Sequence, residues 1–196
     1  MRQSLARREN FRPLRRILIV CEGEKTEPNY FKKFPANPEV YDQIDIYGTG
    51  YNTTSLVKEA IRLKNEALKK REPYIEVWCV FDKDDFPFAN VRDAIVLANE
   101  NKIKCAYSIE AFELWYMLHF NYYDSALSRK QYKEKLSELI GKTYQKNDDG
   151  MYKLLSRRQS TAIQNARRLY MQQYKKPFTE KNPITTVFLL VERLLP

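Results

Sequence analysis

The sequence is poor in residues that hold soft metals or build covalent frameworks. Its 196 residues include one histidine and three cysteines. Cys21, Cys79 and Cys105 each lie in an apolar run, without the paired spacing of a zinc knuckle or the density of a disulfide scaffold. They are expected to be buried, reduced thiols, which suits a cytoplasmic protein. No apolar run approaches the roughly 20 residues needed to span a bilayer. The segment Met1-Arg-Gln-Ser-Leu-Ala-Arg-Arg lacks the apolar stretch of an export signal, so no membrane partner is expected. Repeats and low-complexity tracts are missing, and Gly48-Thr-Gly50 is too short for a phosphate loop and reads as a strand-to-helix turn.

What is present suffices for one sizeable core, since 43% of the residues are hydrophobic and 13% aromatic. The formal charge of +9 is unevenly spread. Residues 1–16 carry a net +5 and residues 124–181 a net +8, whereas residues 17–123 carry −4. An acidic centre between basic segments suits a metal-dependent enzyme acting on a polyphosphate, with cations for the backbone and carboxylates for the metal. Basic solvated helix faces would give the same totals.

Three segments follow from the pattern: a basic arm at 1–14, an α/β core at 15–122 and a helical extension at 123–196. In the core, buried strands are expected at 15–21, 43–47, 75–81 and 103–108. Helices are expected at about 28–34, 53–71, from Pro87 or Phe88, and at 111–120. Strands alternating with helices predict a mainly parallel sheet covered on both faces. Past Tyr122 only helices are expected, at roughly 129–140, 159–175 and 183–195. Pro183 would open the last of these, and Gln145–Gly150 would form a mobile loop.

The strongest chemical signal is a pair of acidic clusters, each placed where an apolar run ends: Ile17-Leu-Ile-Val-Cys-Glu22-Gly23 and Val77-Trp-Cys-Val-Phe-Asp82-Lys83-Asp84. Residues past the carboxyl ends of parallel strands share one rim, so Glu22, Asp82 and Asp84 can converge as a cradle for Mg²⁺. If the strand continues, Asp82 and Asp84 point the same way and Asp85 faces elsewhere. Glu113, early in an otherwise apolar helix, could complete the site or bond a backbone N–H at the helix start. Lys25 and Lys83 could hold a scissile phosphate or simply balance charge. His119 shares a helical face with Phe112, Trp115, Tyr116 and Phe120, which favours a hydrogen-bonded core histidine over a catalytic one. Arg157, Arg158, Arg167 and Arg168, with nearby tyrosines, could bind nucleic acid or form a protein interface.

Glu-Gly after the first strand and Asp-x-Asp after the third resemble the Toprim domain of topoisomerases, primases and OLD nucleases. More narrowly, Ile19-Val-Cys-Glu-Gly-Glu-Lys-Thr-Glu-Pro-Asn-Tyr-Phe31, Val80-Phe-Asp-Lys-Asp-Asp-Phe86, Phe112-Glu-Leu-Trp-Tyr-Met-Leu-His-Phe120 and Asn182-Pro-Ile-Thr-Thr186 resemble the RloB-like family. The resemblance implies a Toprim-like, four-stranded, mainly parallel sheet flanked by helices, with a C-terminal helical extension. It also implies a Mg²⁺- or Mn²⁺-dependent nuclease of bacterial anti-phage defence, of the restriction or abortive-infection kind, acting on DNA or RNA beside an ATPase partner of AAA or ABC type. Self-association is left open. Glu22 matches the Toprim glutamate, a general acid/base or metal ligand, and Asp82 and Asp84 match the metal-binding pair. Where many Toprim domains have an acid three residues after Gly23, this chain has Thr26, with Glu24 and Glu27 nearby. The alternative is a non-catalytic adaptor that binds nucleic acid or nucleotide within an ATPase complex.

Overall fold

Five strands form one sheet in the computed structural model, which describes residues 13–35 and 37–196. They are β1 (Arg16–Cys21), β2 (Gln43–Gly48), β3 (Tyr74–Asp82), β4 (Lys104–Ile109) and β5 (Ile184–Thr185), in the spatial order β2-β1-β3-β4-β5. β1 to β4 are mutually parallel, and β5 runs antiparallel to β4. The helices are α1 (Thr26–Phe31), α2 (Thr53–Lys69), α3 (Phe88–Glu100), α4 (Glu113–Met117), α5 (Arg129–Ile140), α6 (Met151–Leu155), α7 (Gln159–Gln173) and α8 (Val187–Leu194). Except for Pro13 and Leu14, the basic arm at 1–14 lies outside the described residues.

The central strands are apolar throughout because both faces of the sheet are covered. Side chains alternate between the faces. Ile17, Ile19, Cys21, Trp78 and Val80 enter a large core shared with residues of α1 and α4 to α8. Leu18, Val20, Val77, Cys79 and Phe81 enter a smaller one with α2 and α3. The extension therefore covers one face and the α2–α3 pair the other. Asp82, two residues beyond Val80, continues the parity that leads to the extension side. A buried acid is thereby placed beneath the C-terminal helices. Cys21 and Cys79 are buried free thiols as expected, whereas Cys105 is only partly covered.

The expected parallel α/β sheet is present, with one addition. Residues 184–185, expected to lie in a helix, pair with Ser108 and Ile109 as a fifth strand, and the helix begins only at Val187. Pro183 thus precedes a strand and opens no helix. The Thr185 hydroxyl lies 3.0 Å from that of Ser108, and the Tyr107 N–H donates to Thr186 Oγ1 at 2.9 Å. The two threonine hydroxyls thus add side-chain hydrogen bonds to the backbone pairing that covers the edge of β4. The helix expected over 111–120 is α-helical only at 113–117, and the short α6 was not anticipated. Among the described residues no helix is long and apolar enough to cross a membrane.

A candidate acidic site at the sheet rim

Because β1 and β3 are hydrogen-bonded neighbours, their carboxyl ends meet. The Glu22 N–H donates to the Val80 carbonyl at 2.8 Å, and Glu22 Oε2 accepts from the Asp82 N–H at 3.1 Å. The turn after β1 is clamped from the other side by β2: the Gly50 N–H donates to the Glu22 carbonyl at 2.9 Å. A Cβ on Gly48 would stand 2.8 Å from backbone atoms of Gly23 and Glu24, so only glycine permits that approach.

Asp82 ends β3, so alternation cannot carry over to Asp84. Asp84 adopts φ 52° and turns its carboxylate to Arg129 on α5, forming an ion pair. Asp85 is exposed, with its carboxylate 3.9 Å from the same guanidinium. Asp82 Oδ2 accepts from the Phe112 N–H at 3.0 Å, while its other oxygen is buried with no hydrogen-bond partner. Glu113 Oε1 and Glu27 Oε2 are bare in the same way, on side chains 2% and 5% exposed. Gly23 makes room for Glu27, because a Cβ there would stand 2.2 Å from Glu27 Oε2.

These carboxylates feel one another. Burial, then the charges of Glu27, Glu113 and Glu22, hold the Asp82 carboxyl well above the usual range. Burial and then Glu113 raise Glu27. Burial raises Glu22 to about 7, against the opposing effect of its bond from the Asp82 N–H. The extension roofs this centre with phenols. The Tyr132 and Tyr144 hydroxyls are buried, that of Tyr144 beside the Glu113 and Thr26 side chains, and Glu113 adds to the burial that disfavours ionisation of both. The Thr26 hydroxyl donates to the Lys146 carbonyl at 2.8 Å, tying the expected loop at 145–150 to the rim.

Bare, buried carboxylate oxygens on Glu27, Asp82 and Glu113 are hard donors of the kind Mg²⁺ and Mn²⁺ take. The residues fit such a cation in chemistry. Among the described residues, however, no three His, Cys, Asp or Glu side chains stand in a metal-holding arrangement. Glu22 and Asp82 are brought together, and Glu113 joins Asp82, whereas Asp84 is engaged by Arg129. The buried acid Glu27 and the roofing residues Arg129, Tyr132 and Tyr144 are the parts that sequence reasoning did not single out. For Glu27 the available signal was an acid four residues after Gly23 at the head of a helix. Nothing local marked the other three.

Of the expected phosphate contacts, Lys25 is exposed just before α1. Lys83 Nζ is instead held 3.0 Å from the Asp84 carbonyl oxygen and 3.5 Å from Glu110, beside the Phe88 ring. His119 lies outside the acid centre, 1% exposed, with Nδ1 2.9 Å from the Trp115 carbonyl oxygen, so the ring carries its proton there. Burial lowers its pKa to about 4. Folding therefore favours neutral His119, a contribution fully present above about pH 6.5 and lost as pH falls through 4. It amounts to roughly 3 kcal/mol. Denaturant unfolding of wild type and His119→Gln between pH 7 and 4 should show a stability difference that shrinks with acid; a pH-independent difference would contradict the buried neutral ring.

Compared with curated proteins and with solved structures, the chain matches none. The family model described as RloB-like protein matches residues 17–194, which takes in the sheet from the second residue of β1 onward, the acidic rim and the helices that roof it. The chain belongs to the RloB-like protein family.

Proposed function

We propose that the protein is a Mg²⁺- or Mn²⁺-dependent phosphodiesterase, a nuclease subunit of a bacterial anti-phage system. The observation that carries this reading is the trio of buried carboxylate oxygens without partners at the carboxyl rim of a parallel sheet. Such oxygens are costly to bury unless something cationic or protonated shares them. Glu27, Asp82 and Glu113 would hold the cation; Asp84 would join them only by leaving Arg129. The bound cation would polarise a phosphoryl oxygen and acidify water. Glu22 is less buried than the trio, and its pKa of about 7 suits a group that accepts a proton from an attacking water at neutral pH. Lys25 and basic residues of the extension would hold phosphates. Nucleic acid and an ATPase of AAA or ABC type would be its partners, in a cytoplasmic setting.

That no three carboxylates among the described residues stand in a ready-made metal-holding arrangement favours a second reading, a binding adaptor for an ATPase complex. Purified protein incubated with DNA, tRNA and structured RNA separates the two, with Mg²⁺, Mn²⁺ or chelator and with or without the ATPase. Cleavage that needs the divalent ion supports the nuclease. Its absence under every condition, with nucleic acid still bound, leaves the adaptor.

A further inference from the structure

Three of the four arginines singled out in the extension have partners of their own. Arg167 donates to Glu192 Oε1 at 2.7 Å, while the guanidinium groups of Arg158 and Arg168 lie 4.7 and 4.0 Å from the ring centroids of Phe120 and Tyr122. Arg157 opens instead onto a cleft of about 650 Å³ between the end of α5, the segment after it and α6. Lys142 and Lys153 share the lining. The acid of the cleft is Asp148, already occupied by Lys142 Nζ at 2.6 Å and the Gly150 N–H at 2.9 Å. With Lys142 and Asp148 paired, Lys153 and Arg157 are the cations left to the cleft, with Ile140, Met151 and Leu154 beside them. A cationic rim around an apolar floor suits a strand that alternates phosphates with flat bases.

The cleft is also joined to the acidic centre. Its lining residues Lys142 and Asp148 flank Lys146, whose carbonyl accepts from Thr26, and the Lys146 charge acts on Glu27. The 142–150 segment therefore spans from the cleft to the rim.

We propose that this cleft binds the phosphodiester backbone of one nucleic-acid strand that continues to the acidic centre. The strand's destination rests on the phosphodiesterase reading; its binding does not.

The test is fluorescence anisotropy of labelled single-stranded RNA and DNA in chelator, where no cleavage can occur, over a range of salt. The triple variant Lys142→Gln, Lys153→Gln, Arg157→Gln is compared with Lys58→Gln, Lys69→Gln, Lys70→Gln, which removes equal charge from exposed positions on α2 and at its C-cap, across the sheet. Each lost phosphate contact lowers the salt slope by about 0.7, so loss of the Lys153 and Arg157 contacts should cost the cleft variant about 1.4 units of slope, and at least about tenfold in affinity at low salt. The α2 variant should keep both. Lys153→Glu with Arg157→Glu, which spares the Lys142–Asp148 pair, should weaken binding further. Wild-type affinity and slope in the cleft variants, or equal losses in the α2 variant, would overturn the proposal. So would intact nucleic-acid binding with lost ATPase binding, which would make the cleft a protein interface. Cleft-dependent binding without cleavage under any metal would uphold this inference and defeat the nuclease reading. Undiminished substrate affinity together with metal-dependent cleavage by the cleft variants would do the reverse.

Discussion

Asp82→Asn is expected to abolish divalent-dependent phosphodiester cleavage, by a factor of at least about 10³, while making the metal-free protein more stable. The substitution keeps the acceptor for the Phe112 N–H and replaces the bare Asp82 oxygen with an N–H₂. That group can donate to the unpartnered oxygens of Glu113 and Glu27, and the mutual repulsion of three buried acids is reduced. The gain should be on the order of 1–2 kcal/mol where Asp82 is ionised. Its pH dependence follows from the raised Asp82 carboxyl. A group whose folded pKa lies above its unfolded one binds an extra proton on folding, so the wild-type penalty is full only above the raised folded value and fades as pH falls toward the ordinary carboxylate range. Asp82→Asn should therefore gain on wild type as pH rises and lose that advantage in acid. Mn²⁺ should raise the melting temperature of wild type far more than that of Asp82→Asn. Equal Mn²⁺ responses, or undiminished cleavage by the folded variant, would remove Asp82 from the site.

The sheet and its rim were legible because their signals are local. Ile17–Cys21 and Val77–Phe81 are apolar on both faces, which marks strands inside a covered parallel sheet, and Glu22 and Asp82 are the first acids after each. Glu113 stood out as a charge in an apolar helix. Less legible were features decided by distant partners. Ile184–Thr185 forms a strand only because β4 offers an open edge and Ser108 a hydroxyl. Asp84 leaves the strand direction at a positive φ and meets Arg129, 45 positions along the chain. Its spacing from Asp82 suggested a pair, yet alternation holds only for extended backbone, and the positive φ of Asp84 breaks it. The four extension arginines were spaced as one patch, but Glu192, Phe120 and Tyr122 engage three of them.

Five of the rim acids thus fall into two groups. Asp84 and Glu110 each have a basic partner, Arg129 and Lys83, whereas Glu27, Asp82 and Glu113 have bare oxygens. In the first group, Arg129 stands out because it comes from the extension at the first residue of α5, where the Ser128–Gln131 capping box fixes the helix start. Its charge also favours ionised Glu22. A divalent ion drawn to Asp84 must displace this guanidinium, so the two cations compete for one carboxylate.

Arg129→Gln is accordingly expected to raise Mn²⁺ affinity by roughly tenfold, the scale of removing one partly buried competing charge pair. Calorimetric titration of the metal-free protein measures this without reference to activity. The same variant should lower affinity for a phosphodiester substrate, since a guanidinium released from Asp84 is an extension-borne group able to meet the phosphate that arrives with the ion. Arg129→Lys should keep the competition and recover part of the phosphate contact, because a lysine supplies the charge without the planar fork. Were Arg129 only a brace between the extension and the rim, Arg129→Gln would lower the melting temperature and leave Mn²⁺ affinity unchanged. That outcome would also release Asp84 from any part in holding the ion, and leave Glu27, Asp82 and Glu113 as the carboxylates available to it.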